Sequence, residues 1–196
     1  MTKTVEFFFD VGSPAAYLAW TQLPGLCARQ GAELVYRPML LGGVFKATGN
    51  ASPATVPAKG RYVEMDYGRY ASRYGVPLTI NPHFPIITLY LMRVITGVQM
   101  KHPERLQPLL KAVFEALWVD GSNLNEPALT IATLAKAGFG ASEIEALACA
   151  PDVKEALKTN TEEAVSRGVF GAPTMFVNTE MFLGQDRLEF VKEALL

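Results

Sequence analysis

Ser13 is the residue of this chain best placed to do chemistry. It follows the apolar run Val5-Glu6-Phe7-Phe8-Phe9 and the turn Asp10-Val11-Gly12, and Pro14 comes directly after it. Ser is a favoured N-cap, and Pro at the first helical position gives up no hydrogen bond, because that N–H has no partner within the helix. The pattern predicts a buried strand, a tight turn, and a helix whose positive end holds a hydroxyl. Such a place favours an anion. A second group of candidates lies near the other end of the chain. There Gly171-Ala172-Pro173-Thr174 carries a Gly-rich loop through a Pro into a strand, and Leu183-Gly184-Gln185-Asp186-Arg187 closes a second short strand and opens the last helix. On ordinary grounds Asp186 complements a helix dipole or partners Arg187. Lys46 and Asn50 fall in a stretch after the second strand that reads as a loop, where a solvated Lys is commonplace. Phe84, in Asn81-Pro82-His83-Phe84-Pro85, and Trp118, at the end of a predicted helix, would serve a core as readily as an apolar binding wall.

The elements that must position these residues follow from apolar spacing and from Gly and Pro punctuation. Residues 4–9 read as a strand and 14–30 as a helix that stops at Gly31, with a kink expected near Pro24-Gly25. Residues 33–37 read as a second strand, which completes a βαβ unit. Gly49 to Pro57 reads as a loop. From Lys59 to Arg167 the pattern is helical throughout, with helices over Tyr62–Tyr74, 86–100, Glu104–Trp118, Glu126–Ala137, Ser142–Cys149 and Asp152–Arg167. Two short strands, Thr174–Val177 and Glu180–Leu183, and a helix ending near Leu195 close the chain. The expected organisation is an α/β domain formed by residues 1–58 and 168–196, divided by an all-helical insertion over 59–167.

Bulk properties narrow the function classes. A length of 196 residues suits one domain with a large insertion. The net charge of −1, without a basic block, gives no support for nucleic acid or an acidic membrane as partner. No apolar run approaches the roughly 18 residues that a membrane span needs. Residues 1–30 lack the marks of a secretory leader and already read as strand and helix, so a cytoplasmic protein is expected. Cys27 and Cys149 are far apart, each in an apolar helical stretch, and read as two buried free thiols. Neither they nor His83 and His102 show the spacing of a metal site.

The paired end motifs carry a resemblance. Thioredoxin-like oxidoreductases place Cys-x-x-Cys at the first strand-to-helix junction, and this chain has Ser13-Pro14-Ala15-Ala16 there. Phe-Phe-Phe-Asp-Val-Gly-Ser-Pro ending at Pro14, Phe45-Lys46-Ala47-Thr48-Gly49-Asn50, Asn81-Pro82-His83-Phe84-Pro85, Gly171-Ala172-Pro173-Thr174 and Phe182-Leu183-Gly184-Gln185-Asp186-Arg187 together resemble the 2-hydroxychromene-2-carboxylate isomerase family. That family is similar to kappa-class glutathione transferases. The likeness runs from about residue 4 to 195.

The resemblance implies a DsbA-like architecture, a thioredoxin-like domain with a helical insertion, and a cis bond before Pro173. It implies reduced glutathione as cofactor, with Ser13 donating to its sulfur as the catalytic residue. Ala172 and Pro173 would meet its cysteinyl unit, and Leu183, Gly184, Gln185 and Asp186 its γ-glutamyl group. Lys46, Asn50, Phe84 and Trp118 would meet the substrate, a small aromatic carboxylate. Ile87 stands where family members more often carry a polar residue, which makes the expected pocket more apolar. The implied reaction interconverts 2-hydroxychromene-2-carboxylate and trans-o-hydroxybenzylidenepyruvate by reversible thiolate addition. A kappa-type transferase that conjugates small electrophiles is the alternative. A disulfide oxidoreductase lacks its redox cysteine here. The family's habit also makes a homodimer the expected assembly.

Overall fold

A computed structural model of the chain describes residues 3–196. The chain begins with β1 (Thr4–Phe9), α1 (Pro14–Gln30) and β2 (Glu33–Pro38), and β1 and β2 pair in parallel from Thr4 with Glu33 to Phe9 with Pro38. The helices α2 (Leu41–Thr48), α3 (Pro57–Tyr74), α4 (Leu89–Lys101), α5 (Leu106–Trp118), α6 (Pro127–Lys136), α7 (Ala141–Cys149) and α8 (Pro151–Ser166) follow. The hairpin β3 (Thr174–Val177) and β4 (Glu180–Leu183) then leads into α9 (Leu188–Ala194). The sheet order is β2-β1-β3-β4, with β3 antiparallel to both β1 and β4. This is a mixed α/β thioredoxin-like architecture of the DsbA type.

β1 is buried on both faces, as a central strand should be. Phe7 and Phe9 stack at 5.0 Å and face the large core shared with α1, α4 and α5. Phe8, one residue out of phase, faces a smaller core with Met39, Val44, Ala164, Val169 and Phe176. Over this second face two arginines, Arg37 from β2 and Arg167 just past α8, stack on the Phe8 ring at 5.0 and 5.4 Å. Arg167 reaches Glu6 at 2.7 Å and Glu163 at 3.3 Å, while Arg37 pairs with the same two carboxylates. The last helix before the hairpin is thereby fastened to the first strand by a partly buried network, where planar guanidinium groups are favoured.

Four expectations need correction. α1 runs unbroken from Pro14 to Gln30 through Pro24. The stretch from Leu41 to Thr48 is the helix α2 and not a loop, so Lys46 sits in a helical turn while Asn50 lies just beyond Gly49. α4 begins at Leu89, three residues later than expected; the Ile87 N–H is taken by Asn125 Oδ1 at 2.9 Å. Cys149 is exposed, so only Cys27 is a buried thiol. A cis bond is present at Ala172-Pro173, and a second one at Phe84-Pro85 that no sequence pattern indicated.

Candidate active site

The turn between β1 and α1 is built around Ser13 and Asp10. The Ser13 N–H donates to the Asp10 carbonyl at 3.1 Å, which closes the turn. Ser13 is extended, and its Oγ accepts from the Ala16 N–H at 3.2 Å, the expected N-cap bond. The same hydroxyl donates to the Ala172 carbonyl at 3.1 Å, across a sequence separation of 159 residues. Two candidates from opposite ends of the chain therefore meet at one atom pair.

Asp10 was not singled out by any motif, yet it holds this turn. It is 1 % exposed, and its carboxylate accepts from Gly12 N–H at 2.9 Å, Leu41 N–H at 2.8 Å and Thr88 Oγ1 at 3.0 Å. One side chain thus ties the β1–α1 turn to the starts of α2 and α4. Burial pushes its pKa above the ordinary value, against the pull of those three donors. Gly12 has no Cβ for a spatial reason: one built there would stand 2.8 Å from the Thr88 methyl. Beside the turn, Trp118 donates its indole N–H to the Val11 carbonyl at 2.8 Å, and the Phe84 ring lies 6.4 Å from the Trp118 ring. Trp118 is buried and Phe84 is 38 % exposed, so only Phe84 offers much surface to a ligand.

The second wall comes from the hairpin end. The Gly184 N–H donates to the Pro173 carbonyl at 2.9 Å, which places Leu183 and Gly184 beside the cis-Pro. Gly184 has φ +104, and a Cβ there would run into the Asp186 carboxylate, so glycine is required on both counts. Gln185 is buried, and its carbonyl accepts from the Tyr74 hydroxyl of α3 at 2.5 Å. Burial, then Tyr70 and Asp186, push the Tyr74 phenol up to about 12, so it donates across the neutral range. Asp186 keeps a partly exposed carboxylate whose ion pair with Arg187 spans 3.5 Å. Ser13, Ala172, Pro173, Leu183, Gly184, Gln185 and Asp186 thus lie along a connected strip.

Lys46 and Asn50 stand apart from that strip. On α2, Val44 enters the core, while Gly43 and Ala47 face a cavity shared with α8. Lys46 is exposed on the outer ridge, and among the described residues it makes no ion pair. Asn50 donates to the Phe170 carbonyl at 2.7 Å, joining the end of α2 to the loop that precedes Pro173. No hydrogen bond among the described residues links either of them to Ser13.

The chemistry open to this arrangement is that of an orienting hydroxyl. Among the described residues no imidazole or carboxylate hydrogen-bonds to Ser13 Oγ, so nothing is placed to remove its proton. Cys27 is in the interior of α1, where burial pushes its thiol up to about 11. Neither is arranged as a nucleophile. A hydroxyl donor at a helix N-terminus, beside a free backbone edge, suits instead the binding of an anionic atom carried by a peptide-like ligand.

The DSBA-like thioredoxin domain profile matches residues 4–196. The human protein named glutathione S-transferase kappa 1 is 31% identical over 210 residues, covering 100% of this chain and 92% of its own length. The 2-hydroxychromene-2-carboxylate isomerase of Sphingobium xenophagum is also 31% identical, over 198 residues and 100% of both chains. A solved structure of a 2-hydroxychromene-2-carboxylate isomerase superposes with a TM-score of 0.85 at 29% identity, covering 98% of this chain and 94% of that one. This chain belongs to the DSBA-like thioredoxin domain family, and its relatives there include 2-hydroxychromene-2-carboxylate isomerases and kappa glutathione transferases.

Proposed function

We propose that this protein is a glutathione-dependent isomerase that interconverts 2-hydroxychromene-2-carboxylate and trans-o-hydroxybenzylidenepyruvate. The observation that carries the reading is the contact of Ser13 Oγ with the Ala172 carbonyl at 3.1 Å, at the N-terminus of α1 and beside a cis-Pro. The donor set fits glutathione. A thiolate needs a hydrogen-bond donor and a positive potential; the Ser13 hydroxyl, turned from the Ala172 carbonyl to the sulfur, and the α1 N-terminus supply both. A cysteinyl backbone needs peptide groups to pair with, and Ala172, whose carbonyl is held among the described residues only by the Ser13 hydroxyl that would turn to the sulfur, offers them. A free ammonium needs a carboxylate with open access, and Asp186, whose side chain is 31% exposed, provides it.

When bound, glutathione supplies a thiolate that adds reversibly to a conjugated double bond and so allows rotation about it. The residues of the chain do the rest. Ser13 orients the sulfur and favours its deprotonated form, without losing its own proton. Ala172 holds the cysteinyl backbone in register, and the Leu183–Asp186 turn anchors the far end of the tripeptide. Phe84 borders the cleft on its apolar side, and Lys46 and Asn50, on and just past α2 and outside the Ser13 strip, are assigned to the substrate's carboxylate.

The kappa-type transferase remains the second reading, favoured by the equal identity to the human kappa protein. Incubation of the protein and reduced glutathione with the chromene acid, and in parallel with a halonitrobenzene, separates the two. Isomerisation without consumption of glutathione supports the first reading. Stable conjugates without isomerisation support the second.

A further inference from the structure

One cavity of the molecule is lined by none of the residues of the Ser13 strip. It measures about 770 Å³ and lies between α2, α4 and α8. That size falls within the usual range for small-molecule sites. Buried Leu157 gives it an apolar floor, and Leu40, Ala47, Leu89 and Val165 add apolar lining. Gly43 lets α2 approach α8 closely, since a Cβ there would stand 3.1 Å from the Thr161 methyl.

The polar groups at the mouth are unevenly matched. Glu155 and Glu162 flank Lys158, at 3.3 and 3.9 Å. Arg93 and Lys154 also line the cavity, and among the described residues neither forms an ion pair. Arg93 is half-buried, yet its guanidinium has no hydrogen-bond acceptor among the described residues. The guanidinium fork matches a carboxylate. Lys154 adds a second positive charge at the mouth. An apolar floor below an unpaired guanidinium is complementary to a ligand with an apolar body and one carboxylate.

The cavity is separate from the Ser13 cleft. Its lining contains neither Ser13 nor any residue of the strip that runs from Ala172 to Asp186, although Leu40 and Leu89 adjoin Leu41 and Thr88, which the Asp10 carboxylate holds. We infer that the α2–α4–α8 cavity is a second binding site, for a small amphipathic carboxylate held through Arg93. This inference does not depend on glutathione or on the isomerase reading.

The test is calorimetric titration of the full chain with 4-phenylbutyrate and with its neutral counterpart, 4-phenylbutanol. The carboxylate is expected to bind at least tenfold tighter than the alcohol. Arg93→Gln should weaken the carboxylate at least tenfold and leave the alcohol unchanged. Ala47→Trp, at an exposed helical position, should fill the cavity and remove both. Ser13→Ala and Lys46→Met, together with saturating reduced glutathione, should leave the carboxylate's affinity as it was. The inference is overturned if 4-phenylbutyrate does not bind at millimolar concentration. It is equally overturned if Arg93→Gln binds it normally, or if glutathione or Lys46→Met displaces it, since the ligand would then lie in the Ser13 cleft.

Discussion

Leu41 and Asn50 bracket the same helix, α2, but the two ends are held very differently. At the first end the Leu41 N–H is gripped by a buried carboxylate that also binds Gly12 and Thr88, and Leu40 N–H is held by Thr161 Oγ1 at 3.0 Å. At the second end one exposed side-chain bond, Asn50 to the Phe170 carbonyl, joins α2 to the loop before the cis-Pro. The first end borders Ser13, and the second borders the rim assigned to the substrate. The contrast teaches a division of labour. On the proposed function, the part assigned to the sulfur is fixed by contacts from three elements, and the part assigned to the substrate is held by one exposed bond. Proteins commonly place binding groups on loosely held segments carried by a rigid scaffold.

Asp10→Ala gives the sharpest way to break that contrast. It leaves three buried donors without an acceptor, and should cost about 3 kcal/mol in urea unfolding. A cost no larger than that of Asn50→Ala would remove the distinction. The pH dependence adds a sign. The native Asp10 pKa is raised, so its favourable contribution is complete below the unfolded value near ~4 and is lost as pH rises through the native value. Wild-type protein should therefore lose stability relative to Asp10→Asn as pH rises from acid toward neutral, read as the difference between their denaturation midpoints.

Ser13→Ala comes next. Loss of the N-cap should cost about 1 kcal/mol. It should also raise the pKa of bound glutathione by roughly one unit, seen in the ultraviolet absorbance of the thiolate. An unchanged titration would take the sulfur away from Ser13. For Asp186→Ala we expect about tenfold weaker glutathione binding, the scale of one charge-assisted contact, with turnover retained at saturating cofactor. Lost turnover at unchanged affinity would reassign Asp186.

At the loosely held end the effects should be small. Lys46→Met should raise KM for an anionic electrophile by about threefold, as an exposed charge does, and spare the glutathione constant. Equal changes in both would take Lys46 out of the substrate rim. Asn50→Ala should move stability by less than ~0.5 kcal/mol in the same urea titration.

Much of the scaffold was legible because its signals are local. The Ser13-Pro14 start of α1 and the stop at Gly31 both depend on near neighbours. α2 was not, because Gly42 and Gly43 lower its intrinsic helicity, and distant groups, Asp10 and Thr161, hold its first turn instead. Asp10 escaped for the same reason: two of its three donors lie 31 and 78 residues away. Tyr74 looked like a helix-face aromatic, since its acceptor at Gln185 is separated by 111 residues. Cys149 sits on an apolar helix, but on the side that meets water.

The pairing of β1 with β3 bears on how this molecule is made. Almost the entire chain is synthesised between these two neighbours, and Phe8 and the inner edge of β1 await a partner until the very end. A nascent chain halted anywhere within the helical region presents half a sheet, with an open apolar edge of the kind that aggregates. Truncation before Thr174 should therefore yield an insoluble product rather than a smaller folded one.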